Sequence, residues 1–161
     1  MSASTAKKVI IDRFDRSVLR GFIQQGSYRT AEGIELMSPE GSLTLVPYDQ
    51  IKCLSFVRDL EGASVLTERR EFLARPKAIG LWIEFRFLDG DSLEASVSNN
   101  LLDMEDRGLL ATPPETAGNA QRIFVPRAAL AGVSVLGVVG KPKPKRGRAP
   151  AGPARQISLF Q

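Results

Sequence analysis

The sequence predicts an all-β protein built from two tandem small barrels, five strands in each, followed by a disordered basic tail. The first observation behind this is an internal echo. Residues 43–57 read Leu-Thr-Leu-Val-Pro-Tyr-Asp-Gln-Ile-Lys-Cys-Leu-Ser-Phe-Val, and residues 122–136 repeat the frame, with Pro126 answering Pro47, Leu130 answering Ile51 and Val135 answering Phe56. The second is that the apolar runs are short and bounded by Gly, Pro, Asp and Ser, which is strand rather than helix punctuation. The third is an abrupt change beyond Val139 to Lys-Pro-Lys-Pro-Lys-Arg-Gly-Arg, where proline and glycine oppose both helix and sheet and little can be buried.

Residues 9–14 read as a first strand and 18–25 as its partner, with Asp15, Arg16 and Ser17 turning between them and Gly21 marking a sharp bend. A polar loop, 26–33, leads to a hairpin of 34–38 and 43–47 around Pro39, Glu40 and Gly41. Residues 48–50 tighten into a short turn before a fifth strand, 51–58. The second copy opens near Leu81, where 82–87 runs through Leu88, Asp89, Gly90 and Asp91 into 92–97, an Asp-Gly hairpin signal. Its last strand lies within the apolar run 128–140, too short to span a bilayer.

Arg13-Phe14 aligns with Arg86-Phe87 at an offset of 73, Gly33-Ile34 and Pro39-Glu40 align with Gly108-Leu109 and Pro114-Glu115 at 75, and the Val-Pro pairs align at 79. The offset grows only across loops, where insertions are tolerated. The expected organisation is a disordered N-terminus (1–8), a first barrel (9–60), a connector (61–80), a second barrel (81–139), a basic linker (140–155) and a terminal peptide (156–161). Within the connector, 66–74 reads as a helical turn or an extra strand.

The formal net charge of +4 is uneven. Lys141, Lys143, Lys145, Arg146, Arg148 and Arg155 follow the last strand and no acid lies beyond Glu115, so residues 1–140 carry about −2. A single cysteine, Cys53, forms no internal disulfide and reads as a small hydrophobe in an apolar strand, which suits a cytoplasmic protein. No secretory leader pattern and no membrane span is visible. With no histidine and no Gly-rich loop opening a helix, the sequence offers no catalytic residues, no metal site and no cofactor. Asp12, Asp15, Asp89 and Asp91 read as solvated acids at hairpin turns. Nothing in the pattern indicates an oligomeric state.

Short bent strands, a Gly in the second strand and a tight turn before the last resemble the small-barrel class of Sm-like and SH3-like folds. Leu19-Arg20-Gly21-Phe22-Ile23 resembles the start of an Sm motif, but the nucleotide-pocket elements of Sm proteins have no counterpart here. Arg86-Phe87-Leu88-Asp89-Gly90, residues 56–62 (Phe-Val-Arg-Asp-Leu-Glu-Gly) and Arg122-Ile123-Phe124-Val125 make residues 9–138 resemble a bacterial duplicated-barrel domain of unknown function often found near PilZ domains. That resemblance implies a fold and no activity. PilZ domains themselves bind a cyclic dinucleotide through an Arg-x-x-x-Arg segment, and Arg69, Arg70 and Arg75 precede the second copy here. Arg70 and Arg75 are five apart and the second PilZ motif is absent, so a solvated basic connector is the other reading.

Gln156-Ile157-Ser158-Leu159-Phe160 resembles the bacterial sliding-clamp-binding peptide, Gln-Leu-Ser/Asp-Leu-Phe, with one Ile-for-Leu exchange. The resemblance implies that Leu159 and Phe160 are anchors entering a preformed pocket, that Gln156 fixes orientation and that Ile157 and Ser158 lie between. In the alternative, Ile157, Leu159 and Phe160 fold back on the barrels. The expectation is therefore a non-enzymatic accessory protein tethered to the DNA polymerase sliding clamp. Lys141, Lys143, Lys145, Arg146 and Arg148 are available for weak, nonspecific contact with DNA phosphates. The alternative is a signalling or scaffold module whose barrels bind a protein or a cyclic dinucleotide.

Overall fold

The computed structural model of the chain describes residues 6–25, 29–77, 80–98, 107–115 and 117–139. They form β1 (Ala6–Asp12), β2 (Val18–Gln24), β3 (Gly33–Met37), β4 (Leu43–Pro47), β5 (Cys53–Val57), β6 (Gly80–Phe87), β7 (Ser92–Val97), β8 (Gly108–Ala111), β9 (Ala120–Pro126) and β10 (Leu130–Val139). Single 3-10 turns occur at Tyr48–Gln50, Val65–Thr67 and Arg127–Ala129. The fold is all-β. One sheet has the order β4-β3-β2-β1-β5-β9-β8 and the other β10-β6-β7, and every pairing is antiparallel. An isolated bridge between Ser96 and Thr112 joins the end of β7 to the residue after β8. Strand pairing therefore runs without a break as β10-β6-β7-β8-β9-β5-β1-β2-β3-β4.

That order is one five-strand unit laid down twice. Val9↔Gly21 and Ile11↔Leu19 between β1 and β2 match Ile83↔Ala95 and Phe85↔Leu93 between β6 and β7. Gly33↔Pro47 matches Gly108↔Pro126, and the lone contact Phe22↔Met37 matches Ser96↔Thr112. The first turns are also the same: the Arg13 N–H donates to the Ser17 carbonyl as the Phe87 N–H does to that of Asp91. Asp15 Oδ1 accepts from the Ser17 N–H, and Asp89 Oδ1 from that of Asp91. Arg16 and Gly90 occupy the same left-handed corner, at φ 75° and 94°. Through β1, the turn and β2 these equivalences stand at an offset of 74, so the alignment of Arg13-Phe14 with Arg86-Phe87 is out by one. Backbone turn geometry sets the frame, and it pairs Arg13 with Phe87. Gly33 and Gly108 recur because β4 and β9 cross them closely: a Cβ at either would collide with the carbonyl oxygen of Val46 or Val125.

Other boundaries also differ from expectation. β1 begins at Ala6, since Ala6, Lys7 and Lys8 continue the backbone ladder opposite Gln24, Ile23 and Phe22. The disordered N-terminus expected over 1–8 therefore cannot extend past residue 5. β1 ends at Asp12 because the turn takes Arg13 and Phe14. In the connector the single turn Val65–Thr67 replaces the longer helical turn or strand expected over 66–74. Among the described residues no barrel is closed: β4 does not pair with β5, nor β9 with β10. The basic linker and terminal peptide lie outside the described residues.

Two cores result. Val9, Ile11, Ile23, Ile34, Leu36, Val46, Ile51 and Leu54 fill the first, and Ile83, Phe85, Phe87, Leu93, Ala95 and Leu109 lie in the second. The period-two alternation of strands places successive residues on opposite faces. Thus Leu54 of β5 enters the first core and its neighbour Cys53 the second. Likewise Phe124 of β9 fills the first core, while Ile123 and Val125 on either side of it enter the second. β5 and β9 form one wall shared by both halves, which is why Ile123, Phe124 and Val125 are buried in succession.

Candidate functional site

At one end of this wall, where β2 and β8 do not pair among the described residues, the first core opens to the surface. A groove of about 520 Å³ lies there. Ile23, Phe56 and Leu110 form its apolar floor; Lys7, Arg122, Gln25 and Gln121 rim it. Lys7, which is exposed, shares a face of β1 with Val9 and Ile11 and comes just past the last core position, at the groove. Arg122 sits opposite Phe56 in the β5–β9 ladder. An apolar strip between two cations and two amides suits a ligand or extended segment that carries an apolar group next to an anion. Its residues come from five strands, so no local motif marks it.

Elsewhere at the seam a polar cluster crosses between the halves. Lys52, whose side chain is 7% exposed, places Nζ 2.6 Å from Asp89 Oδ2 and 2.5 Å from Asp91 Oδ2. It also lies over the rings of Phe14 and Phe87, at 5.7 and 5.3 Å from their centroids. Arg70 adds a contact of 3.5 Å to Asp91. Asp89 and Asp91, read from the sequence as ordinary solvated acids, thus hold a buried cation from the other half.

Asp12 departs further from that reading, being 8% exposed. Its side chain shares a face of β1 with Ile10, which is fully buried. Burial pushes its carboxyl up, outweighing the Ser64 hydroxyl and the charges of Lys52, Arg20 and Arg70, which pull it down. Folding therefore shifts this carboxyl toward its neutral form relative to the unfolded chain. Its contribution to stability is complete below the unfolded value, about 3.9, and is lost as pH rises through the folded value. Asp12→Asn is expected to melt higher than the parent at pH 7 and to lose that advantage near pH 4, which thermal melts across this range will check. Cys53 is a fully buried free thiol in the same region; burial first, and then the charge of Asp12, push it well up, away from thiolate chemistry.

The three connector arginines do not converge. Arg69 Nη1 pairs with Glu115 Oε2 at 3.4 Å. Arg70 reaches Asp91 and donates from Nε to the Leu66 carbonyl. Arg75 donates to the Val138 carbonyl at 2.8 Å and lies 5.9 Å from the centroid of Trp82. An irregular connector has spread them over three surfaces. Among the described residues no group of three His, Cys, Asp or Glu side chains could hold a metal, and no helix is long and apolar enough to cross a membrane. Gln156, Ile157, Ser158, Leu159 and Phe160, with Lys141, Lys143, Lys145, Arg146 and Arg148, lie outside the described residues.

Residues 5–137 match the sequence model of a family described as a family of unknown function (DUF6982). No curated protein and no solved structure matches the chain.

Proposed function

We propose that this chain, which belongs to that family of unknown function, is a non-enzymatic accessory protein tethered to the bacterial sliding clamp by Gln156–Phe160. The observation that carries this reading is the five-residue match itself, with Leu159 and Phe160 as anchors and Gln156 as the orienting group. Its position supports the reading: the last described strand ends at Val139, and the 16 steps from Gly140 to Gln156 can extend to about 50 Å at about 3.1 Å per residue. A tether of that reach leaves the β-fold free to engage something else near the clamp, in the cytoplasm. Lys141, Lys143, Lys145, Arg146 and Arg148 would add weak, salt-dependent attraction to DNA phosphates. Titrating the full chain against purified clamp tests the reading. The double change Leu159→Ala with Phe160→Ala is expected to lower affinity at least about a hundredfold, as anchor residues do; unchanged binding would sink it.

The groove favours a second reading, in which the folded body is a scaffold that docks a partner segment. We read the two five-strand units as tandem small barrels of the Sm/SH3-like kind, each left open, with the groove at the mouth of the first. A segment with an apolar side chain beside an acid fits its floor and cations. Truncation at residue 140 separates the readings, because a partner kept by the truncated protein and lost on Lys7→Glu with Arg122→Glu belongs to the groove. Dinucleotide binding by Arg69, Arg70 and Arg75 has less support, since each is engaged with a different part of the chain.

A further inference from the structure

The continuous strand order has two ends, and the repeat makes them complementary. Inside the chain the fourth strand of the second unit, β9, pairs with the fifth strand of the first, β5, through Leu54↔Phe124, Ser55↔Ile123 and Phe56↔Arg122. The remaining fourth and fifth strands are β4 and β10. Among the described residues they stand at the two ends of the order with no strand beyond them.

The internal equivalences translate the pairing residue by residue. Leu54 lies opposite Ile11 as Val133 lies opposite Phe85, and Phe56 opposite Val9 as Val135 lies opposite Ile83. On the other side, Phe124 lies opposite Leu110 as Leu45 lies opposite Glu35. Positions 54–56 therefore correspond to 133–135, and 122–124 to 43–45. Where the pairing is made, Leu54 and Phe124 are fully buried; at the equivalent positions where it is not, Val133 is 41% and Leu45 44% exposed.

The chemistry of these edges points the same way. Proteins protect a terminal strand with lysine, inward charges or bulges. β4 contains no charged residue, and none occurs between Arg127 and Lys141. The irregularities of β10 fall between Leu130 and Gly132 and between Val135 and Gly137, which leaves Val133, Ser134 and Val135 as regular ladder. Arg75 reaches β10 at Gly137 and the Val138 carbonyl, and Arg86 lies beside Gly132 and donates to the hydroxyl of Ser134.

We propose that the chain assembles head to tail with further copies of itself, β4 of one copy pairing antiparallel with β10 of the next in the register Leu45↔Val133, Thr44↔Ser134 and Leu43↔Val135. Leu45 of the incoming copy then covers the second core as Phe124 covers the first. The occupant is a second copy because the chain already contains this interface once, and among the described residues both of its halves recur with no strand beyond them. Such a contact is heterologous: it closes into a ring if the rotation per copy permits and otherwise continues as a filament. The inference uses no residue beyond Val139 and is independent of the clamp reading.

Sedimentation velocity of the full chain over a concentration series tests it. The expected result is a mass that rises with concentration above the 17.6 kDa of one chain. Leu45→Lys and Val133→Lys each place a charge in the apolar ladder and are expected to weaken association at least about a hundredfold. Both sites are exposed in the single chain, so circular dichroism melts should match the parent at concentrations too low for association, and should fall below it where the parent assembles. An equimolar mixture of the two variants retains one intact β4 and one intact β10, and should form a two-chain complex and nothing larger. A parent that stays monomeric throughout, edge variants that associate as the parent does, or a mixture that forms no complex would each overturn the proposal.

Discussion

Phe124→Ala is expected to destabilise both halves together, by about 3–5 kcal/mol, the cost of removing a buried aromatic ring from a core that cannot collapse around the gap. Phe124 is fully buried in the first core, yet its strand supplies Ile123 and Val125 to the second. Small domains hold only about 5–15 kcal/mol in reserve, so the loss is large. Trp82, the chain's one tryptophan, lies in β6 of the second half. Its fluorescence and the circular dichroism of the whole chain should shift to lower denaturant together, in one transition. A Trp82 transition left at its parent midpoint would show that the halves unfold independently and that the wall couples nothing.

The second large effect is an asymmetry at Lys52. Replacing both acids, Asp89→Asn with Asp91→Asn, leaves a side chain that is 7% exposed without the two carboxylates it contacts. That should cost about 3 kcal/mol at pH 7, as uncompensated burial of a charge does. Lys52→Met removes the cation and fills the same space between Phe14 and Phe87, and should cost about 1 kcal/mol or less. Denaturant titration of both variants decides, and a greater loss in Lys52→Met would refute the account. The pH dependence has the opposite sign to that of Asp12. For Asp89, burial works upward, but the Lys52 hydrogen bond, the Asp91 N–H and the Lys52 charge overcome it. For Asp91 the Lys52 hydrogen bond leads, and both carboxyls end below their ordinary value. Their contribution is present above about pH 3.9 and lost as pH falls through the folded values, and it disappears in the double variant.

Local order was legible in the residues themselves. Alternation, the Asp-Gly hairpin, the Val-Pro turns and the repeated Gly-Ile/Gly-Leu frame specify ten short strands in two matching sets, because side-chain period and turn chemistry act over a few residues. The one-residue error at Arg13-Phe14 arose where identity and geometry disagreed, and backbone hydrogen bonds at the turn settled it. What joins the sets was not legible. Nothing in β5 says that it pairs with β9, and nothing in Asp12 says that the connector will bury it. The groove collects Lys7, Ile23, Phe56, Leu110 and Arg122 from strands far apart in the chain. The residues alone specify the strands and their repetition. That the halves share a wall, and that among the described residues neither unit closes and no strand lies beyond β4 or β10, emerges only in three dimensions, because strand partnership depends on which edges meet in space, and edge backbone groups are chemically alike in every strand.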